Sequence, residues 1–498
     1  MPFFVTNMSA IDTLRLPLAQ LPDPLPIPVI DRPFAATIRP PGSKSLTNRA
    51  LLLAALADGT STLTSALVDA DDALVMIQGL RALGAGITID GTTITVRGVN
   101  GRWKPQTPNP VLNVRASGTA ARFLTAAAAL APDNTTITID GDARMRERPI
   151  GQLVDALRQI GATVEFVGRE GSLPVRVHAL KPTHPLGVTF GPTSSSQFIS
   201  AMLMIGPFLS HELHVAATGP LTSDDYTWMT LALLRALGAP GNAGRDPYES
   251  VRLGLELDWR LNPARVRGFE LAIEPDATGA SYFQVAAAIT PGAHITIPGL
   301  PAAQLGSLQG DVKFPLLVEE AGATFTGDPD RSIEIIGPRS LHAIDADLEH
   351  MPDTAMTAAV MLCFAAPTPD NPTATSTLRG LHTLRHKESD RLAALQTELA
   401  KLGATVEIIT SPHDPRDVSL RLTPPPNLHA LTAADPAARA LPPITFDTYN
   451  DHRMAMSLAL IGLRRPHVLI ANPACVAKTY PTFWRDLASL FRSPAPPG

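Results

Sequence analysis

The chain repeats one pattern: an apolar helix opened by a polar or charged cluster, then an amphipathic helix that mostly ends in Gly-Ala before a β-like run. The pairs stand at Gly84-Ala85, Gly161-Ala162, Gly238-Ala239, Gly322-Ala323 and Gly403-Ala404, so the spacings by subtraction are 77, 77, 84 and 81 residues. A sixth copy, Tyr480 to Leu490, ends with the chain. A period this long makes each unit a small α/β layer, and it lets residues at equivalent helix starts converge on one place.

Ala, Leu and Met surround the first helix of each unit, which predicts buried helices over Ser45–Ala57, Thr119–Leu130, Ser196–Leu209, Ala280–Ile289, Asp353–Ala366 and Asp451–Gly462. The second helix is amphipathic, as in Gln152–Ile160 and Arg391–Leu402, and is expected to cover a sheet while facing water. Alternating runs follow several of the Gly-Ala stops, at Thr163–Val167, Thr324–Thr326 and Thr405–Ile409. Pro-rich loops at Pro367–Thr377 and Pro424–Pro443, and the stretch Gly241–Pro263, interrupt the pattern. Three copies on either side of the last of these give two similar halves, and the cleft between such halves is the default ligand site.

A chain of 498 residues with 45% apolar content buries a large core and has room for two or more domains. A net charge of -5 gives no general pull toward nucleic acid or anionic membranes, so any anion site has to be a local cluster. Cys363 and Cys475 are the only cysteines, which excludes a disulfide framework and a zinc site made of cysteines, and fits a reducing compartment. Met1–Pro33 reads as a Pro-rich lead, not a signal, and no apolar run approaches the roughly 20 residues of a membrane span. A soluble cytoplasmic protein is expected.

Clusters of charged or polar residues stand at helix starts or turns. Pro41-Gly-Ser-Lys-Ser-Leu-Thr-Asn-Arg49 feeds an apolar helix with Lys44, Ser45 and Arg49, an anion-binding arrangement. No Gly directly precedes Lys44, so the spacing of an ATP-binding P-loop is absent. Ser117-Gly-Thr-Ala-Ala-Arg122 repeats the device, and Gly141-Asp-Ala-Arg-Met-Arg-Glu-Arg-Pro149 adds a carboxylate or phosphate clamp. Gly191-Pro-Thr-Ser-Ser-Ser-Gln197 offers hydroxyls and an amide. Met351–Thr357 places Asp353 in a first turn, Arg385-His-Lys-Glu-Ser-Asp-Arg391 combines Lys387, Glu388 and Arg391, and Tyr449–Met456 presents Asp451, His452 and Arg453. Lys478 stands in the turn Cys475–Pro481. Taken together, these positions imply a strongly anionic ligand with more than one phosphate or carboxylate.

These segments, with Gly-Ala-Ser-Tyr-Phe and Leu-Gln-Gly-Asp between them, run in order from Pro41 to Pro481 and closely resemble the 5-enolpyruvylshikimate-3-phosphate (EPSP) synthase family of enolpyruvyl transferases. The resemblance implies an α/β fold of two domains, an inside-out α/β barrel with six βαβαββ-type repeats, three per domain, joined by two crossover strands. One globule is expected at 43–274, mainly binding shikimate 3-phosphate, and the other at 275–498, with 1–42 as a lead and first strand joining the latter. The implied reaction transfers the enolpyruvyl group of phosphoenolpyruvate to the 5-hydroxyl of shikimate 3-phosphate with release of phosphate, on the route to chorismate and aromatic amino acids. No metal, organic cofactor, nucleic acid or membrane is implied, and the expected state is a monomer.

Carried over residue by residue, Lys44, Ser45, Arg49, Ser195, Ser196, Gln197, Ser223, Asp353 and Lys387 match the positions that hold shikimate 3-phosphate, with Tyr226 a ring contact. Lys44, Gly118, Arg144, Gln197, Arg391, Arg453 and Lys478 match those around phosphoenolpyruvate. The resemblance makes Asp353 the base and Glu388 the first choice of acid, with Lys44 competing or assisting and His452 in support. Closure of the domains would bring Lys44 and Arg144 against Arg391, Arg453 and Lys478. Gly118 implies inhibition by glyphosate in competition with phosphoenolpyruvate. Thr383, Ala116 and Asp225 depart from the family's frequent Asn, Asn and Pro. The alternatives are enolpyruvyl transfer to UDP-N-acetylglucosamine, disfavoured because Ala143–Pro149 lacks a cysteine; a catalytically silent binding protein, disfavoured because the charged candidates are all present; and a small-metabolite kinase, disfavoured by the P-loop spacing.

Overall fold

A computed structural model of the chain describes residues 8–181, 186–218, 223–239, 241–243, 257–301, 306–328, 331–432 and 435–492. The Gly241–Pro263 stretch therefore lies partly outside the described residues. The chain divides into two compact units, Gly42–Glu274 and Met1–Pro41 with Pro275–Gly498. Each unit carries three small sheets and three central helices.

In Gly42–Glu274 the central helices are α1 (Lys44–Leu56), α2 (Gly118–Ala128) and α3 (Gln197–Ile205). All three pack on one another, and α2 is buried along its whole length, as its Ala-rich composition requires. Around α2 the unit reads strand Val111–Asn113, α2, strand Thr136–Asp140, helix Gly151–Gln159, then the antiparallel pair Val164–Phe166 and Val175–His178. The first two strands are parallel, and Val175–His178 sits antiparallel between Thr136–Asp140 and its hairpin partner. The α3 unit follows the same order. Its strands Leu186–Phe190 and Leu257–Leu261 alternate strictly between buried and exposed residues, so the helices lie inside and the sheet presents one face to water.

The Pro275–Gly498 unit repeats this with α4 (Ala277–Ala288), α5 (Ala355–Leu362) and α6 (His452–Gly462), which also pack on one another. Where they meet, Ser281 donates to Thr357, and Thr357 lies 3.2 Å from Ser457, so small hydroxyls let the helices approach closely. The last helix, Phe483–Ser489, is fixed by edge-on and tilted rings of Tyr282, Phe283, Tyr480, Phe483 and Trp484. The expected six-repeat architecture is therefore present, with the sixth copy abbreviated: its sheet has three strands and takes Leu25–Ile27 from the N-terminal segment.

The strand that leads into each crossing of the chain stays paired within its own unit. Ala35–Thr37, just ahead of α1, pairs in parallel with His294–Pro298 of the Pro275–Gly498 unit, while Glu270–Ala272, ahead of α4, pairs in parallel with Thr60–Thr64 of the Gly42–Glu274 unit.

The Gly-Ala pairs end their helices in one way. All five glycines have left-handed φ, between +70° and +108°. Each alanine N–H reaches back five residues, as Ala162 to Leu157 and Ala404 to Leu399, which caps otherwise unpaired carbonyls. Among the described residues, no helix is long and apolar enough to cross a membrane.

Candidate active site

In the Pro275–Gly498 unit the charged residues converge because four of its elements begin near one another. A 3-10 turn, Pro352–Thr354, leads into α5 and holds Asp353 there, 8% exposed. Asp353 Oδ1 accepts Arg391 Nη1 at 2.9 Å and lies 3.2 Å from Lys387 Nζ, while Oδ2 accepts Arg453 Nη2 at 2.9 Å. Glu388 spans the other side, with Oε2 3.0 Å from Arg391 and Oε1 3.0 Å from Lys478 Nζ.

Asp451 caps α6 through the N–H of Arg453 and accepts Arg391 Nε at 2.8 Å and Ser389 Oγ at 3.1 Å. His452 Nδ1 lies 3.5 Å from Asp451. Burial works against the Arg391 charge, yet Asp451, Glu388 and Asp353 outweigh it and raise its pKa, so this guanidinium stays charged. Four cations thus face three carboxylates in a buried array, an arrangement that holds charge ready for an anion and is costly to break.

A 3-10 turn, Gly310–Lys313, packed at the start of α4 adds a carboxyl of a different kind. Asp311 is 6% exposed and accepts the hydroxyl of Thr278. Burial, then the charge of Asp353, pushes it up to about 7 against the pull of Thr278 and Arg453. Tyr282 nearby is pushed up to about 12 by burial, with Arg453 opposing.

In Gly42–Glu274 the starts of the three central helices carry the second set. Ser43 caps α1, and Lys44 Nζ lies 3.3 Å from Asp72. Arg49 is buried and pulled down to about 10 by burial. It donates to Thr230, to the Ser45 carbonyl, to Ser200 and to the Tyr226 carbonyl, with the rings of Phe123 and Tyr226 at 5.2 and 5.9 Å. Arg49 therefore ties α1 to α3 and to the helix Asp225–Ala236.

Ser117 caps α2, and Gln197 Nε2 donates to Thr119 at 3.4 Å, joining the start of α3 to that of α2. Ser195 Oγ accepts the Gln197 N–H, and Ser196 is buried at the N-cap of α3. Ser223 is buried with φ +51° just ahead of Tyr226. Arg144 pairs with Glu147 at 2.8 Å with 41% of its side chain exposed. A Cβ added at Gly118 would meet the Arg148 guanidinium at 2.7 Å, so Arg148 is the arginine of that turn that stands over the start of α2. Arg122 fastens the turn by donating to the Pro149 carbonyl at 2.7 Å.

The profile of a family described as EPSP synthase (3-phosphoshikimate 1-carboxyvinyltransferase) matches residues 30–487. The chain belongs to the EPSP synthase family. Curated relatives named 3-phosphoshikimate 1-carboxyvinyltransferase include one from Serratia proteamaculans, 39% identical over 456 residues that cover 91% of this chain and 96% of the relative, and one from Thiobacillus denitrificans, 39% identical over 461 residues covering 92% and 97%. The fold is similar to that of an EPSP synthase from Acinetobacter baumannii, with TM-score 0.70, 23% identity and coverage of 93% and 97%. It is also similar to that of the enolpyruvyl transferase NikO from Streptomyces tendae, with TM-score 0.65, 18% identity and coverage of 94% and 98%.

In this EPSP synthase family member, Asp353, Lys387, Glu388, Arg391, Arg453 and Lys478 stand in one hydrogen-bonded array. Reasoning from sequence missed two residues of site character. Arg148 was one of three arginines in a five-residue run, and only the short helix Ala143–Glu147 decides which of them faces Gly118. Asp311 closes the Leu-Gln-Gly-Asp segment, which was the available signal.

Proposed function

We propose that this chain performs the family's reaction through these residues: the enolpyruvyl group of phosphoenolpyruvate passes to the 5-hydroxyl of shikimate 3-phosphate, giving 5-enolpyruvylshikimate 3-phosphate and phosphate. In the Gly42–Glu274 unit, Lys44, Ser45, Ser195, Ser196, Gln197 and Ser223 hold shikimate 3-phosphate, with Arg49 fixing the helices that carry them; Asp353 and Lys387 complete the set. Arg391, Arg453 and Lys478 hold phosphoenolpyruvate, with Lys44, Gly118, Gln197 and the arginines of the 144–148 turn, Arg148 ahead of Arg144.

The observation that carries this reading is the clamp on Asp353. Its carboxylate is held by Lys387, Arg391 and Arg453. Anionic groups of phosphoenolpyruvate compete for the same cations, which frees the Asp353 oxygens to face the 5-hydroxyl. Asp353 then takes the 5-hydroxyl proton as the oxygen attacks C2 of phosphoenolpyruvate. Glu388, between Lys478 and Arg391, delivers a proton to the C3 methylene, assisted by Lys44. The tetrahedral adduct next loses the C3 proton and phosphate, restoring the enol ether, while the cations balance charge on the leaving group.

Cys363 and Cys475 are free thiols, which fits the proposed cytoplasmic location; a monomer is the proposed state. The test is phosphate release by the purified chain, which should require both substrates together. Release with phosphoenolpyruvate alone, or none with both, contradicts the proposal.

A further inference from the structure

The helix that begins at Arg391 carries a second charge on the same face. Glu398 is seven residues on, two turns and about 10 Å along the axis. Its side chain is 1% exposed, although the amphipathic pattern places this helix against water. Oε2 accepts the Asp447 N–H at 2.9 Å and Lys401 Nζ at 2.6 Å, and Oε1 accepts the Tyr449 hydroxyl at 2.8 Å. Lys401 also donates to the Thr445 carbonyl at 3.0 Å. The segment 445–451 is thus gripped at the Glu398 end of the helix and again at Arg391, which holds Asp451.

Between the two grips the backbone is strained. Tyr449 and Asn450 have φ +54° and +55°, a left-handed conformation that costs a Tyr about 1–3 kcal/mol and persists only where surrounding contacts impose it. The turn makes Asp451 meet Arg391 and cap α6 at once. Burying a carboxylate is weak as a stability device, because an apolar side chain of similar size often serves as well. Here three donors converge on it, and each comes from the strained turn or from the lysine that flanks it.

We propose that Glu398 is a positioning residue for the reaction: by holding Asp447 and Tyr449 it fixes the turn that aims Asp451 at Arg391, and so sets the guanidinium that faces Asp353. This rests on the functional reading given to Asp353 and Arg391. The test compares Glu398→Gln, which keeps the shape but removes the carboxylate, with the milder Tyr449→Phe, which removes one hydrogen bond from a part-exposed ring.

Glu398→Gln should lower kcat/KM by about 10- to 100-fold, the scale of a small misplacement of a reacting group, and Tyr449→Phe by less. In an Asp451→Asn background the further change Glu398→Gln should cost under about threefold, since both act through one contact. Hydrogen exchange should quicken over residues 447–453 in both variants while 454–462 stay protected. Rates within about twofold of wild type, or full additivity with Asp451→Asn, would overturn the proposal. A wild-type chain that released no phosphate would contradict the functional reading, and the exchange comparison would still decide whether Glu398 holds the turn.

Discussion

Arg391 Nη1 donates to Asp353 Oδ1 at 2.9 Å while the same guanidinium holds Glu388 and Asp451, so one buried cation orients three carboxylates. The fork geometry of arginine is what permits this, and lysine cannot reproduce it. Arg391→Lys should therefore lower kcat/KM by at least about 100-fold. Arg391→Ala should also destabilise the fold by about 3–5 kcal/mol, because it leaves buried carboxylates unpaired. Steady-state kinetics and denaturant melts check both, and an Arg391→Lys chain within about tenfold of wild type would contradict the multidentate role.

Gly118→Ala would place a methyl group against the Arg148 guanidinium at the start of α2. The guanidinium ends a flexible side chain, so the fold should tolerate the change and the cost should fall on ligand. The expected result is a raised KM for phosphoenolpyruvate and weaker inhibition by glyphosate, with a nearly unchanged melting temperature. Unchanged inhibition would show that neither Gly118 nor Arg148 borders that ligand.

Asp311 supplies a pH signature. Its carboxyl is raised in the folded protein from 3.8 to about 7, so the folded state favours the proton. The stability this contributes is fully present below the unfolded value and is lost as pH rises through about 7. Asp311→Asn keeps an acceptor for Thr278 and removes the titration, so its melting temperature relative to wild type should climb between pH 4 and 8. A constant difference across that range would contradict the buried, protonated carboxyl.

The helix-ending glycines should rank by their surroundings. Gly403 has φ +89° with only the Pro425 Cβ near, so Gly403→Ala should cost about 1–2 kcal/mol, the backbone penalty alone. Gly84→Ala would also overlap the Lys104 carbonyl and should cost more. Chemical denaturation of the two variants measures the order, and equal costs would show that the left-handed φ alone decides.

The repeat was legible because each copy had to end its amphipathic helix, and the Gly-Ala pairs mark those ends directly. The charged starts of α1, α5 and α6 were legible because polar residues stand out against Ala-rich helices. The strand pairing at Ala35–Thr37 and Glu270–Ala272 joins residues more than 200 apart in sequence, and no local pattern names the partner sheet. Glu398 was hidden for a related reason: a glutamate is ordinarily a solvated charge, and two of its partners come from the distant 445–451 segment. Arg49 marked an anion site in sequence, and the structure shows four of its five N–H groups already engaged by protein.

The most direct test of the account is turnover by Asp353→Asn, which preserves size and acceptor geometry while removing the base. With phosphoenolpyruvate and shikimate 3-phosphate both saturating, phosphate release should fall by about 10²- to 10⁴-fold relative to wild type. A variant turning over within about tenfold of wild type would contradict the assignment of Asp353 as base.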